Sequence, residues 1–523
     1  MLIAGAGIGG LTAALSLHAA GIDAQVIESA PALRPLGTGL HLLPHAVREL
    51  TELGLGDELA ATGIQTAEMI HFDRHGNRIW GFACGRDAGY SWPHYSVCRG
   101  DLQMILLDAV RSRLGPDAVR TGAAFASFEE SATDVAVRVR DQTTGGIEAV
   151  QADVLLGADG LYSAVRAQLH PDEPSPRRSG VQQWRGLTHG TSFPTSRTVT
   201  AYGTSADQKF VAYPVSRKAE LQGQALITWI AEVKLPDGQD SSENADWNQP
   251  GRVEDVLPRF AGWRPSSLDI PAMITGAERI VERPMVDRDP LPFWGTGRVT
   301  LLGDAAHPMY PTGKNSWSQA VIDARVLAYE LARAGSPSAG LAAYEAARRE
   351  TVNELVLACR NMPAERMLQM VGARAPDGFD QVSDILTAEE VAAFDDAYRQ
   401  TTLLDVATLN SRPSLTARLR KDGVALLGKW ASGRASEWAS PAQRRPPATD
   451  YSSAASQLIN GLSFAPTCSI CSACSASRRL RKFGWPASNS STSSRANEPS
   501  LISPRIRRIS SLVCSFTNRG PRV

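Results

Sequence analysis

The residues whose spacing says most about chemistry stand at the start of the sequence, in Gly5-Ala6-Gly7-Ile8-Gly9-Gly10. In this GxGxxG pattern Gly5 permits a tight turn, Gly7 lets the backbone approach a pyrophosphate, and Gly10 allows close packing of helix on strand. A helix beginning here offers unbonded N–H groups and a positive dipole end to phosphate. Glu28 then stands where a carboxylate can accept hydrogen bonds from both hydroxyls of a ribose. Glycines also serve ordinary turns, and the motif does not separate FAD from NAD. With the acid in place after it, the pattern reads as a dinucleotide site.

Two further motifs narrow that reading. One is Gly157-Ala158-Asp159-Gly160, followed by Ser163, Val165 and Arg166. The other is Gly303-Asp304-Ala305-Ala306-His307-Pro308, which follows the apolar run Val299-Thr300-Leu301-Leu302. An aspartate at the end of a buried strand can accept a hydrogen bond from a ribityl hydroxyl. Either aspartate could equally close an Asx-turn or cap a helix. The two together, in this order after a GxGxxG, are more specific than either alone. No Ser-His-Asp triad or pair of catalytic carboxylates stands out, and His307 reads as structural. Cys468-x-x-Cys471-x-x-Cys474 lacks a nearby fourth ligand, Cys514 being distant, so no metal site is expected.

These groups need elements to position them. Leu2-Ile3-Ala4 reads as a short strand, 11–20 as a helix and 24–27 as the next strand, a βαβ unit that favours a parallel sheet. A strand ordinarily runs about five or six residues, which sets the expected start codon slightly upstream of Met1. Segments 198–202, 209–213 and 225–233 are rich in β-branched and aromatic residues and predict a second, mostly antiparallel sheet. The alternating pattern returns with a strand over 298–302, a helix from about Asn315 and a long helical region over 336–357. The expected fold class is therefore α/β. A Rossmann-like domain is drawn from residues 1–170 and 286–400, and a mixed-sheet domain over 171–285 is inserted in it. Residues 411–523 form a low-complexity tail. Its last part, 451–523, is rich in serine and arginine with Glu498 as its one acid. It reads either as disordered chain or as translation in the wrong frame.

Composition bounds the rest. A chain of 523 residues, 43% hydrophobic and 21% charged, has room for two or three domains around a large core. Zero formal net charge implies neither a nucleic-acid partner nor an acidic membrane surface. No apolar run approaches the ~18 residues of a membrane span. The N-terminus lacks the basic region of a signal peptide. Of seven cysteines only Cys84, Cys98 and Cys359 precede residue 460, which argues against a disulfide framework and for a cytoplasmic protein.

Over about residues 1–400 the three motifs resemble the flavoprotein aromatic hydroxylases, the single-component FAD monooxygenases typified by p-hydroxybenzoate hydroxylase. The resemblance implies FAD as cofactor, NAD(P)H and O₂ as co-substrates, and a small aromatic substrate. It assigns Gly5, Gly7, Ile8, Gly9, Gly10 and Glu28 to the ADP half of FAD. It gives Asp159 and Gly160 to both FAD and NAD(P)H, and Gly303 and Asp304 to the ribitol. Arg99, in Cys98-Arg99-Gly100-Asp101-Leu102, matches an arginine that reaches the flavin side chain, with a surface ion pair as the alternative. Gln103 lies one helical turn on and joins it. Tyr202, Tyr213 and Trp229 fall on the sheet that roofs the substrate pocket in this family; they are pocket-lining or ordinary core aromatics. With no second GxGxxG, NAD(P)H is expected to bind transiently.

Several stretches resemble one subgroup, the 5-methylphenazine-1-carboxylate monooxygenase-like enzymes. Among them are Arg34-Pro35-Leu36-Gly37, Trp184-Arg185-Gly186, Ala212-Tyr213-Pro214, Ala245-Asp246-Trp247-Asn248 and Pro284-Met285-Val286-Asp287-Arg288-Asp289-Pro290. That likeness implies a planar, anionic aromatic substrate. One departure stands beside it. Where the family has a glycine-rich turn at the flavin, this chain has Pro311-Thr312-Gly313-Lys314-Asn315-Ser316-Trp317. Pro311, Gly313 and Asn315 keep the turn, whereas Ser316 and Trp317 replace small residues. Lys314 adds a charge beside the flavin or is a solvated loop lysine. An FAD oxidase or dehydrogenase, and a degenerate flavin-binding protein, are the competing readings.

Overall fold

The computed structural model describes residues 1–190, 193, 196–236, 249–403 and 405–417. Leu2–Ala4 lies inside a six-stranded sheet, which explains why all three residues are buried and apolar. The strand order is Gly295–Thr296, Val299–Leu301, Leu155–Gly157, Leu2–Ala4, Gln25–Glu28, Val119–Thr121. Every pairing is parallel except the short outer one between Gly295–Thr296 and Val299–Leu301. Register places Ile27, Ala4, Gly157 and Leu301 in one row across four strands. The chain therefore leaves the sheet side by side at Glu28, Gly5, Ala158 and Leu302. Ligands of open parallel sheets bind at this carboxyl edge.

Helices Ile8–Ala19, Arg99–Leu114 and Ser316–Arg333 belong to the same layer, with Ile8–Ala19 packed against both others. Helix Pro337–Cys359 packs on Ser316–Arg333. The expected helices over 11–20 and 336–357 are thus present, each shifted by a few residues at its ends.

The second sheet has seven strands in the order Ala277–Asp287, Arg177–Gly190, Ala225–Lys234, Gln208–Pro214, Thr198–Gly203, Glu68–Phe72, Arg78–Ala83. It is antiparallel except where Thr198–Gly203 meets Glu68–Phe72. Its last two strands come from within 1–170, the stretch that the sequence reading gave wholly to the flavin-binding part. Segments that close a sheet from far along the chain leave no local sign of where they pair.

The two faces of this sheet differ in company. Trp184, Tyr202, Phe210, Ala212, Trp229 and Ala231 share one face and one apolar core with helices Val253–Phe260 and Ile270–Thr275. Side chains one residue out of phase, Met69, Val199, Val211 and Tyr213, point the other way. That inner face meets strand Gly39–Leu42, where Gly39 N donates to Thr228 Oγ1 at 3.0 Å. A Cβ on Gly39 would stand 2.8 Å from the Tyr213 ring, so only glycine fits there.

The C-terminal side corrects one boundary. The expected tail begins at 411, yet the chain is still docked at 412–416. Arg48 Nη2 donates to Arg412 O at 2.7 Å, and Ser414 Oγ to Glu52 Oε2 at 2.7 Å. The cysteine run at 468–474 and the Ala245-Asp246-Trp247-Asn248 stretch lie outside the described residues. Among the described residues no helix is long and apolar enough to cross a membrane.

Candidate active site

The glycine loop is shaped by what a side chain would strike. Gly5 has φ +104°, and a Cβ there would sit 2.4 Å from Ala158 O. One on Gly10 would meet Gly5 O at 2.0 Å, and one on Gly9 would meet Leu302 Cδ2 at 2.7 Å. Gly7 has nothing within 4 Å. Three glycines are thus required for packing, while Gly7 fronts open space. Gly7 is also the N-cap of helix Ile8–Ala19 and has no side chain to bond the first-turn N–H groups. That leaves them for an external anion, which fits the pyrophosphate of a dinucleotide.

Glu28 braces this loop. Its Oε2 accepts from Ala6 N at 2.8 Å and its Oε1 from Ala30 N at 2.8 Å. Gln103, on helix Arg99–Leu114, donates through Nε2 to Ala6 O at 2.8 Å. Both polar groups of the Ala6 peptide are therefore held by side chains quoted from the sequence. Arg99 opens the same helix. Burial lowers its pKa, and the charges of Asp304 and Glu28 oppose that shift. Its guanidinium lies 5.8 Å from the centre of the Trp317 ring. One arginine thus feels both carboxylates, although they are 276 positions apart in sequence.

Asp159 uses its carboxylate to start a helix. It accepts from Ser163 Oγ at 2.5 Å, Ala164 N at 2.8 Å and Val165 N at 3.3 Å. Burial raises its pKa against these bonds. Gly160, at φ +80°, makes the turn. The capped helix Ala164–Leu169 delivers Arg166, which is 1% exposed. Arg166 Nη1 donates to Ala305 O at 3.0 Å and Ala306 O at 2.8 Å, and its Nε to Glu173 Oε2 at 2.7 Å. The second motif is fastened to the third by this side chain, whose clamping role the sequence did not reveal.

Gly303, at φ +63°, and Asp304 follow strand Val299–Leu301. Gly303 N donates to Asp323 Oδ2 at 3.2 Å. The same oxygen lies 2.6 Å from His307 Nε2, and Arg348 Nε donates to Asp323 Oδ1 at 2.8 Å. Burial pushes the Asp323 carboxyl up, but His307 and Arg348 together hold it below its ordinary value. His307 is therefore engaged in structure. Asp304 itself accepts from Ser316 Oγ at 2.5 Å, so one residue that departs from the family pattern grips this aspartate.

The turn before helix Ser316–Arg333 is anchored at both ends. Thr312 Oγ1 donates to Cys359 O at 2.6 Å, and Gly313 lies against the Cys359 sulfur. Asn315 is 1% exposed, and its Nδ2 donates to Thr402 O at 2.9 Å. Pro311 begins the turn and is partly buried. Lys314 is half-buried, not a solvated loop lysine, and has φ +55°.

The aromatic residues divide by face. Tyr202 and Trp229 lie on the outer face, in the core with the two helices, opposite the face that carries Tyr213. Tyr213 is on the inner face, its ring 4.2 Å from that of His41. His41 and His94 are buried there, with His94 Nε2 3.2 Å from His41 Nδ1. Burial lowers His94 to about 3 and His41 well below the ordinary histidine value. Arg185 shares the inner face and is 8% exposed. His41 and His94 stand in no motif and the Trp184-Arg185-Gly186 stretch gives Arg185 no role, so only strand register could have placed them.

Residues 1–358 match the family described as FAD binding domain. The chain is 46% identical over 372 residues to a phenazine 1,6-dicarboxylic acid hydroxylase, PhzS, of Lysobacter antibioticus, covering 70% of this chain and 91% of that protein. It is 32% identical over 363 residues to 3-hydroxybenzoate 6-hydroxylase 1 of Aquipseudomonas alcaligenes, covering 66% and 84%. Among solved structures, Klebsiella pneumoniae HpxO complexed with FAD and uric acid aligns with a TM-score of 0.60 at 26% identity, covering 79% of this chain and 97% of that one. With the family match spanning most of the described residues, this chain belongs to the FAD-binding-domain family of flavoprotein aromatic hydroxylases.

Proposed function

We propose that this protein is an FAD-dependent monooxygenase that hydroxylates a planar aromatic acid, with a phenazine carboxylate as the substrate class. Bound FAD supplies the redox chemistry by which NAD(P)H and O₂ give NAD(P)⁺, water and one oxygen atom inserted into the ring. The protein's own part is to hold, orient and exclude water. Gly7 and the first-turn N–H groups of Ile8–Ala19 would receive the pyrophosphate, Glu28 the adenosine ribose and Asp304 the ribitol. Arg99, acted on by the charges of both carboxylates, would face the cofactor. The N-terminus of Ser316–Arg333 would direct N–H groups and a positive dipole end at the negative charge of reduced flavin.

The observation that carries the reading is Arg99 within the charge of both Glu28 and Asp304. Both the acid that ends the first nucleotide strand pair and the acid after the last parallel strand act on this one group, which supports a single extended dinucleotide reaching both. The aromatic acid would lie against the inner face of the seven-stranded sheet, near Tyr213 and His41. The phenazine class is supported by the Lysobacter relative and by the buried Arg185 on that face. The test is a screen of aromatic acids, phenazines included, for stimulated NAD(P)H oxidation by FAD-loaded protein, with product identification. Stimulation with stoichiometric hydroxylated product supports the reading. Stimulated oxidation that yields only peroxide, or a dehydrogenated product, opposes it.

A further inference from the structure

We propose that Lys314 is the residue that selects the aromatic substrate by its carboxylate, pairing its ammonium with one anionic oxygen while the ring lies on the inner face of the large sheet. This rests on the monooxygenase reading above and adds the recognition chemistry to it.

The backbone is the first support. Lys314 is one of two non-glycine residues with positive φ among the described residues. A glycine would hold that conformation without steric cost. The turn is pinned on both sides, by Thr312 to Cys359 O and by Asn315 to Thr402 O, so the lysine is held where it is.

The charge inventory is the second. Lys209 is ion-paired with Glu365, and Arg185 Nη2 donates to Gln183 Oε1 at 3.2 Å. Glu232 accepts from Gln183 Nε2 at 2.7 Å and from Ser205 Oγ at 2.7 Å. Lys314 lies within the field of Lys209, Glu365, Glu232 and Cys84, and its own charge reaches His41, His71 and His94. Yet among the described residues its ammonium makes no hydrogen bond and no ion pair. Lys209, Arg185 and Lys314 carry one more charge than Glu365 and Glu232 and the histidines are held neutral, so the cluster has a surplus positive charge. Burial, then Lys209, lowers the Lys314 pKa to about 8, the direction expected of a cation short of an anion.

The third support is an unpartnered donor on the same face. His41 Nδ1 has His94 Nε2 at 3.2 Å and Ser96 Oγ at 3.3 Å. If these donate to it, Nε2 carries the hydrogen. Nε2 is buried and has no partner. A carboxylate offers acceptors for both groups, the half-buried ammonium and the buried imidazole donor.

The experiment titrates FAD-loaded protein with phenazine-1,6-dicarboxylate and with its uncharged dicarboxamide, following the flavin absorbance. In Lys314→Met the dicarboxylate is expected to bind roughly tenfold to a hundredfold more weakly. The dicarboxamide should stay within about twofold of its wild-type affinity, and Lys314→Arg within about fivefold for the acid. Should the methionine variant lose flavin, Lys314→Gln carries the same expectation. Equal weakening of both probes, or no change for the acid, overturns the proposal. A wild-type holoenzyme whose spectrum responds to neither probe overturns the substrate class itself, which tells the two failures apart.

Discussion

Ser316 Oγ donates to Asp304 Oδ1 across 2.5 Å, joining the first turn of a helix to the aspartate that follows the last parallel strand. The bond fixes the carboxylate rotamer, and on the proposed reading Oδ2 would receive a ribityl hydroxyl. Ser316→Ala is therefore expected to weaken FAD binding about threefold to tenfold, the usual net contribution of one intramolecular hydrogen bond. Asp304→Ala should weaken it further, because it removes the acceptor itself. Fluorescence titration of apoprotein with FAD measures both. Equal affinity in wild type and Ser316→Ala would show that the serine contributes nothing to preorganisation.

Arg166 joins two motifs through five side-chain bonds to carbonyls and Glu173, at 1% exposure. Replacing it with methionine leaves the Ala305 and Ala306 carbonyls without their donor and the Glu173 carboxylate with Arg288 alone. The expected loss is about 3–5 kcal/mol of stability, with release of flavin on mild heating. Thermal denaturation with parallel flavin fluorescence checks it, and a shift under about 1 kcal/mol would remove the clamp from the account.

What the sequence made legible was local. Gly5, Gly7 and Gly10 are legible because each constraint acts within one turn of chain, and Glu28 and Asp304 because each ends an apolar strand. The Arg166 clamp and the Ser316–Asp304 bond were not legible, because each joins segments that only the folded sheet brings together. Tyr202 and Tyr213 show the same limit. Both sit in convincing strand patterns, but which face each takes depends on register with neighbours far along the chain. The strands Glu68–Phe72 and Arg78–Ala83 escaped for that reason too.

The division of aromatics by face has its own consequence. Trp229→Ala empties part of the outer core, where Trp229 is fully buried, and should cost about 3–5 kcal/mol. The flavin-loaded fraction that remains folded should keep kcat. Tyr213→Phe, on the inner face, should leave stability nearly unchanged and raise KM for an aromatic acid about threefold to tenfold. Steady-state kinetics beside denaturant unfolding separate the two. A Trp229 variant with normal stability and altered KM would reverse the assignment.

Acid should destabilise the protein earlier than its carboxylates alone would. Burial holds His45 and His94 down to about 3, and His41 and His71 well below their ordinary value. All four are neutral when folded and free to protonate near pH 6.5 when unfolded. The unfolded chain then binds more protons below pH 6.5. The stability they contribute is fully present above that pH and is lost as pH falls toward 3, at up to about 1.4 kcal/mol per pH unit for each histidine. Asp323 and Glu365, also held down, add their loss only below about pH 4. Melting temperature measured from pH 7.5 to 5 at constant ionic strength should fall steadily below pH 6.5. A flat profile would contradict burial of the neutral histidines.

The most direct measurement is the fate of ¹⁸O₂. FAD-loaded protein given NAD(P)H, ¹⁸O₂ and phenazine-1,6-dicarboxylate should yield a hydroxylated phenazine carrying one ¹⁸O atom, with one NAD(P)H consumed per product. NAD(P)H consumption that leaves the ring unlabelled and returns all the oxygen as hydrogen peroxide would contradict the monooxygenase account.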